Sequence, residues 1–207
     1  MAAEEIKATT DAAGLAALIS RAAGDSGDGQ RGLPPVDKWN PPFCGDIDME
    51  IRADGTWFYM GTPIGRAPLV RLFSTVLRRD EDDKTYLVTP VEKVGIRVVD
   101  APFVAVEMKA TERDGEQLLT FRTNVGDVVE AGAEHALRFV IHGENSELKP
   151  YLHVRGRLEA LVARPVMYEL VEFGETLDID GVSMFCLRSG GTVFPVMPAA
   201  ELEALSR

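Results

Sequence analysis

Two carboxylates stand two residues apart in the run DIDMEI, Asp46 and Asp48. On an extended chain, positions i and i+2 face the same side. The pair therefore has the spacing to hold a metal ion or to divide the work of general acid and general base. Any strand with a solvated face presents the same alternation. Two arginines suggest a different chemistry. Arg66 stands just ahead of Pro68, and Arg164 just ahead of Pro165. Each proline suits the first turn of a helix, where its missing N–H leaves nothing unpaired. The start of a helix offers free N–H groups and partial positive charge to an anion, and a guanidinium beside it adds a full charge. The competing reading is a pair of surface cations matched to local carboxylates. Asn124 and Arg155 fall near the ends of predicted strands and could join an anion site. Trp39 lies alone in a proline-rich stretch. Its ring either pins that stretch to a core or forms one wall of a ligand site.

Other chemistry-bearing residues are less specific. His135, His142 and His153 lack the close spacing of a metal pair, and neither Cys-x-x-Cys nor His-x-Glu is present. Ser189-Gly190-Gly191 could make an anion-binding nest, and is equally the composition of a hairpin turn. Cys44 would be redox-sensitive if exposed beside positive charge; burial as a small hydrophobe is the alternative. No nucleophile elbow, Walker loop or dinucleotide fingerprint occurs. The residues thus point to ligand binding at Trp39, Asp46, Arg66, Asn124, Arg155 and Arg164. They assign no catalytic residue and no metal ligand, and name no cofactor.

The elements that must position these residues centre on the stretch from Asp46 to Arg79. Ile47, Met49 and Ile51 alternate with Asp48, Glu50 and Arg52 as in a half-buried strand. Asp54-Gly55 is a hairpin signal, and Trp57 to Met60 is the return strand. Leu69, Leu72, Phe73, Val76 and Leu77 make an amphipathic helical stripe, with Arg78 and Arg79 complementing the helix C-terminus. Before this stretch, residues 11–23 read as a helix through Leu15, Leu18 and Ile19, and 25–42 as a Gly/Asp/Pro linker. After it come predicted strands at 85–89, 95–99, 103–109, 117–124 and 134–142, with a turn at Asp114-Gly115. A strand at 151–157 follows, with 158–162 as its continuation. A second proline-opened helix carries Val166, Met167, Leu170 and Val171 and stops at Gly174. Strands at 176–179, 182–188 and 192–196 and a short tail helix complete the chain. One helix among many short strands indicates an antiparallel α+β architecture and not a parallel nucleotide fold.

The order of strands, arginine, proline and helix recurs. Arg155 lies 103 residues after Arg52, and Pro165 lies 97 after Pro68. This suggests two antiparallel half-barrel-like parts, each with one helix, related by internal duplication. The expected divisions are 1–42 for the N-terminal helix and linker, 43–142 for the first α+β part and 143–207 for the second.

Composition narrows the function classes. The 207 residues carry a net charge of −11, which disfavours a duplex-binding surface, because that needs a basic face to displace counterions. A small anion needs only a local cation cluster. Two distant cysteines form no disulfide framework. The start MAAEEIKATT is acidic, unlike a secretory leader, and no run approaches the roughly 18 apolar residues of a membrane span. A cytoplasmic protein is expected.

The segments WNPPFCGDIDMEI, DGTWFYMGTPIGR, LVTPVEK, FRTNVGD and PYLHVRG, spread from Trp39 to Val196, resemble a bacterial family catalogued as domain of unknown function 1285. The resemblance implies a two-part fold with internal duplication, whose C-terminal part is superficially pleckstrin-homology-like. It also implies a nucleotide-like ligand between the parts and a role in signalling, with no established activity. The combined expectation is a non-enzymatic cytoplasmic sensor of an anionic, nucleotide-like small molecule. A protein-interaction module without a ligand is the alternative, and a hydrolase using Asp46 and Asp48 a weaker one.

Overall fold

In the computed structural model the described residues are 32–142 and 147–205, with Ala17 as one further position. The helix expected at 11–23 otherwise lies outside them. The chain divides into two compact units at Val99 and Asp100.

Over residues 32–99, unit 1 holds a short 3-10 helix (Val36–Lys38), a six-stranded sheet and one α-helix. Its strands are β1 (Phe43–Ile51), β2 (Trp57–Tyr59), β3 (Thr62–Pro63), β4 (Leu77–Arg79), β5 (Thr85–Val88) and β6 (Lys93–Val98), with helix α1 (Ala67–Thr75) between β3 and β4. The spatial order is β3-β2-β1-β6-β5-β4. Two antiparallel meanders meet at a parallel β1–β6 pair. Met49 and Ile51 point inward as the alternation requires, and Trp57 stacks on Phe73 of α1 with ring centroids 6.1 Å apart. The helix is shorter than its apolar stripe suggests. It ends at Thr75, Val76 leaves helical geometry with φ −107°, and Leu77 pairs with Leu87 in β4. Two adjacent β-branched residues, Thr75 and Val76, weaken the helix, while Val76 stays buried in the turn and Leu77 in β4. Arg78 and Arg79 therefore serve a strand and not a helix end.

Unit 2 holds a second six-stranded sheet: β7 (Phe103–Arg113), β8 (Glu116–Thr123), β9 (Val128–Glu130), β10 (Leu137–His142), β11 (Glu147–Arg155) and β12 (Leu158–Val162). Residues 158–162 do not continue β11. Gly156, at φ +53°, turns the chain back, and β12 pairs antiparallel with β11. Helix α2 (Arg164–Val171) packs on β7; a three-stranded sheet of β13 (Glu175–Ile179), β14 (Val182–Ser189) and β15 (Thr192–Pro198) follows, then helix α3 (Ala199–Leu205). Ser189 Oγ joins the two sheets of this unit. It accepts from Leu119 N (2.9 Å) and donates to the carbonyl of Ala131 (2.7 Å) while fully buried. The Ser-Gly-Gly run is thus a hairpin turn, with Gly190 and Gly191 at φ +53° and +71°.

The large sheet of unit 2 runs β10-β11-β12-β7-β8-β9. Counted from its own first strand, each six-stranded sheet has the order third-second-first-sixth-fifth-fourth, and in each the parallel pair joins first and sixth. Neither sheet is purely antiparallel as expected. The matched residues do not occupy matching places. Arg52 follows a first strand and Arg155 ends a fifth, while α1 follows a third strand and α2 a sixth. A boundary at 142/143 would cut the β10–β11 hairpin, whose register runs from Leu137–Leu152 to His142–Glu147. The two-part, mostly-sheet architecture holds, with the division near residue 100.

Candidate functional site

The candidate site is built where β1 meets β6. The two strands are in register at Phe43–Lys93, Asp46–Gly95 and Glu50–Arg97, so β1 uses three residues and then four where β6 uses two each time. Bulges therefore flank Asp46 on both sides, and Gly45 takes the positive φ of +101° within the first. Bulges re-aim side chains and recur beside functional sites. Here they turn the Asp46 carboxylate over the bare Cα of Gly95. A Cβ at that glycine would collide with Asp46 Oδ1, and would stand 3.7 Å from Tyr86 Cε1.

Register carries the row across four strands, since Arg78 opposes Tyr86, Tyr86 opposes Gly95, and Gly95 opposes Asp46. At a spacing of about 4.8 Å per strand, the row is roughly 14 Å wide. Its β4 end is a closed network. Arg78 donates through Nε and Nη2 to Asp80 (2.6 and 3.2 Å), and through Nη1 to the carbonyls of Val36 (2.8 Å) and Trp39 (2.7 Å). What pins the proline-rich segment is thus its backbone on a guanidinium. Trp39 itself is half-buried. Lys93 donates to the same Asp80 (2.8 Å) and sits 4.4 Å from the centroid of the Tyr86 ring. Burial alone would raise the Asp80 carboxyl, but Arg78 and Lys93 outweigh it and hold it below the usual carboxylate range. Tyr86 gives its only O–H to Asp82 (2.6 Å), which pushes the phenol up to about 12.

The β1 end is open. Among the described residues the Asp46 carboxylate takes part in no hydrogen bond or ion pair, and it is exposed. Phe43 meets the Tyr86 ring edge-on at 6.0 Å while 55% exposed. The arrangement combines a free aromatic face, an acceptor-only carboxylate, a glycine floor, and an ammonium that gives one hydrogen bond to Asp80 and has three protons. It can hold a planar ligand with hydrogen-bond donors on one edge and negative charge at its other end.

The family models place this geometry in context. Residues 34–101 match the model described as "Domain of unknown function (DUF1285), N-terminal domain", and 102–196 match "Protein of unknown function (DUF1285), C-terminal domain". The chain belongs to the DUF1285 family. A crystal structure of a DUF1285 family protein from Silicibacter pomeroyi DSS-3 is 47% identical, with a TM-score of 0.81, covering 95% of this chain and 100% of that one. A second, from Shewanella baltica OS155, is 27% identical, with a TM-score of 0.47, covering 60% of this chain and 90% of that one. No curated protein matches. The junction of the two DUF1285 models, at 101/102, agrees with the structural division.

The remaining expected residues of this DUF1285 chain are divided between the two units, Arg66 in unit 1 and Asn124, Arg155 and Arg164 in unit 2. Arg66 caps α1 in unit 1, exposed and in no ion pair among the described residues. In unit 2, Arg155 pairs with Asp127 (2.6 Å) and lies 4.7 Å from the centroid of Phe103. Asn124 Oδ1 accepts from the N–H of Val104, the neighbour of Phe103 (3.0 Å). These two share one end of the β7 sheet and tie its turns together. Arg164 donates to the hydroxyl of Tyr168 one helical turn on (3.2 Å). Arg155 opposes Leu158; the other end of β12, Val162, is four positions and roughly 13 Å further along the strand, and Arg164 follows two residues later.

Asp46 and Asp48 are both exposed on alternating positions of β1. Burying one of them and not the other would set an acid apart from a base; that asymmetry is not present. Both ring nitrogens of His153 face carbonyls, Glu134 at 2.9 Å and Gly156 at 2.8 Å. Among the described residues no three His, Cys, Asp or Glu side chains gather to hold a metal ion, and no helix is long and apolar enough to cross a membrane. Cys44 is exposed and Cys186 buried, where burial pushes its thiol up. Sequence reasoning missed Phe43, Tyr86, Lys93 and Gly95 as site residues. Only Gly45, beside the two aspartates, signals that the strand is bulged there.

Proposed function

We propose that this protein binds a small, nucleotide-like anionic molecule on the unit 1 face formed by Phe43, Asp46, Gly95 and Lys93, and that it acts as a cytoplasmic sensor in signal transduction. The reading rests on one observation. An exposed carboxylate, unpaired among the described residues, is held by flanking bulges over a glycine, beside an exposed aromatic ring. A solvated strand face needs neither the bulges nor the glycine. Phe43 offers a stacking surface, worth about 1–3 kcal/mol for a base on an aromatic ring. Lys93 supplies the cation, and the fixed pair Arg78–Asp80 keeps it in place.

The common strand order of the two large sheets supports an internal duplication at the level of topology, with β1 corresponding to β7 and β6 to β12. In unit 2 the same junction is differently furnished. Phe103 opposes Ala160 there and is buried, so the ligand role is assigned to unit 1.

Calorimetric titration of the full chain with nucleoside mono-, di- and cyclic phosphates tests the reading. Saturable binding of at least one, weakened by Phe43→Ala and by Asp46→Ala, is expected. Absence of saturable heat across the set overturns it.

A further inference from the structure

The chemistry of the open end of the row narrows the ligand further, on the premise that the proposed site is the binding site. Tyr86 is directed away from a ligand's edge, because its hydrogen is committed to Asp82. Arg78 has Nε, Nη1 and Nη2 all engaged with Asp80 and two carbonyls. The side-chain group left to read a base edge at Asp46 is therefore the carboxylate itself. An ionised carboxylate offers two oxygens that only accept.

We infer that the site selects guanine over the other bases. Guanine presents two parallel donors, N1–H and the exocyclic amino group, on one edge, matching two acceptor oxygens as an arginine fork does. Adenine sets one donor beside an acceptor nitrogen on the corresponding edge, so a carboxylate meets one hydrogen bond and one repulsion. Cytosine offers a single amino donor beside acceptors, and uracil a lone N–H flanked by carbonyls. Hypoxanthine keeps N1–H but lacks the amino group, and so falls between guanine and adenine. The bulges matter here. A carboxylate standing straight out from a regular strand would be free to rotate into solvent, whereas this one is laid over Gly95 with Phe43 on the same strand. A ring stacked on Phe43 can then bring its donor edge to Asp46.

The discriminating experiment compares guanosine, inosine and adenosine monophosphates by calorimetry on the full chain, with agmatine as a guanidinium control. Guanosine monophosphate is expected to bind tightest, inosine monophosphate in between, and adenosine monophosphate more weakly by on the order of ten- to a hundredfold. Asp46→Asn exchanges one acceptor for a donor and gives the pattern that pairs with adenine. That variant is expected to cut the guanosine-over-adenosine ratio at least several-fold, because the amide matches adenine as well as guanine O6 and N1–H, which a merely structural role of Asp46 would not do. Equal affinities for the three nucleotides in the wild type, or an unchanged ratio in Asp46→Asn, overturn the guanine assignment while leaving nucleotide binding intact. Agmatine binding tighter than guanosine monophosphate also overturns it. Failure of every nucleotide to bind the wild-type chain overturns both the assignment and the reading beneath it.

Discussion

Gly95 makes room for the carboxylate of Asp46. A Cβ at Gly95 would lie 3.1 Å from Asp46 Cγ and would displace the oxygen beyond it. The obstructing group is the end of a flexible side chain, so Gly95→Ala is accommodated by swinging the carboxylate away. Its backbone is not in the left-handed region, and alanine also orders the strand better than glycine. The variant is expected to melt within about 4 °C of wild type yet to bind guanosine monophosphate at least about tenfold more weakly. Thermal melts and calorimetry on the same preparation check this. Wild-type affinity in Gly95→Ala contradicts the role given to Asp46.

The second prediction concerns Tyr86. Its hydrogen bond to Asp82, with burial adding to it, raises the phenol from 10.0 to about 12. An acid whose folded value is raised contributes stability that is complete below its unfolded value and is lost as pH rises through the folded one. The relevant window is therefore about pH 10 to 12. Absorbance of tyrosinate against pH should show Tyr86 ionising late, and Asp82→Asn should move that titration down. An unchanged profile in Asp82→Asn contradicts the assignment.

A third prediction lies at acid pH, at the start of unit 2. Asp100 accepts from Lys149 Nζ and from the hydroxyl of Tyr151, each at 2.7 Å. Burial works to raise its carboxyl, but these partners prevail and hold it below 3.8. A carboxyl lowered by folding stabilises above its unfolded value, and that contribution fades as pH falls through the folded one. Urea midpoints measured from about pH 5 to about pH 2 should therefore fall more steeply for wild type than for Asp100→Asn. Parallel curves contradict this.

Ser189 provides the fourth. Replacing it by alanine leaves the N–H of Leu119 and the carbonyl of Ala131 without their buried partner. Each orphaned buried group costs about 1–3 kcal/mol. Urea denaturation of Ser189→Ala should show a loss within or above that range, and Ser189→Thr a smaller one because the hydroxyl is kept. A neutral Ser189→Ala contradicts the joining role.

Much of the fold is legible locally. Asp114-Gly115 marks its hairpin, and Pro68 and Pro165 open their helices. The inward set Met49 and Ile51 follows from strict alternation. What is not legible depends on pairing between distant strands. The helical stripe through Val76 and Leu77 suits a strand equally well, and it is the partner Leu87 that decides. The division near residue 100 is hidden because β7 and β12 meet only in space. Asp46 and Trp39 were visible as residue types, whereas Phe43, Tyr86, Lys93 and Gly95 acquire their places from register. Arg155 and Asn124 read as ligand residues from their strand-end positions, yet their partners Asp127 and Val104 are supplied by the fold.

A bound nucleotide is expected to lie on the β1–β6 face over Gly95. Amide chemical shifts of the isotope-labelled full chain, followed while guanosine monophosphate is added, test it most directly. Saturable shifts are expected in 43–48, in 93–97 and at Tyr86, all lost in Asp46→Ala. Saturable shifts confined to the Asn124–Asp127 turn, to the α2 start at Arg164, or persisting in Asp46→Ala would contradict it.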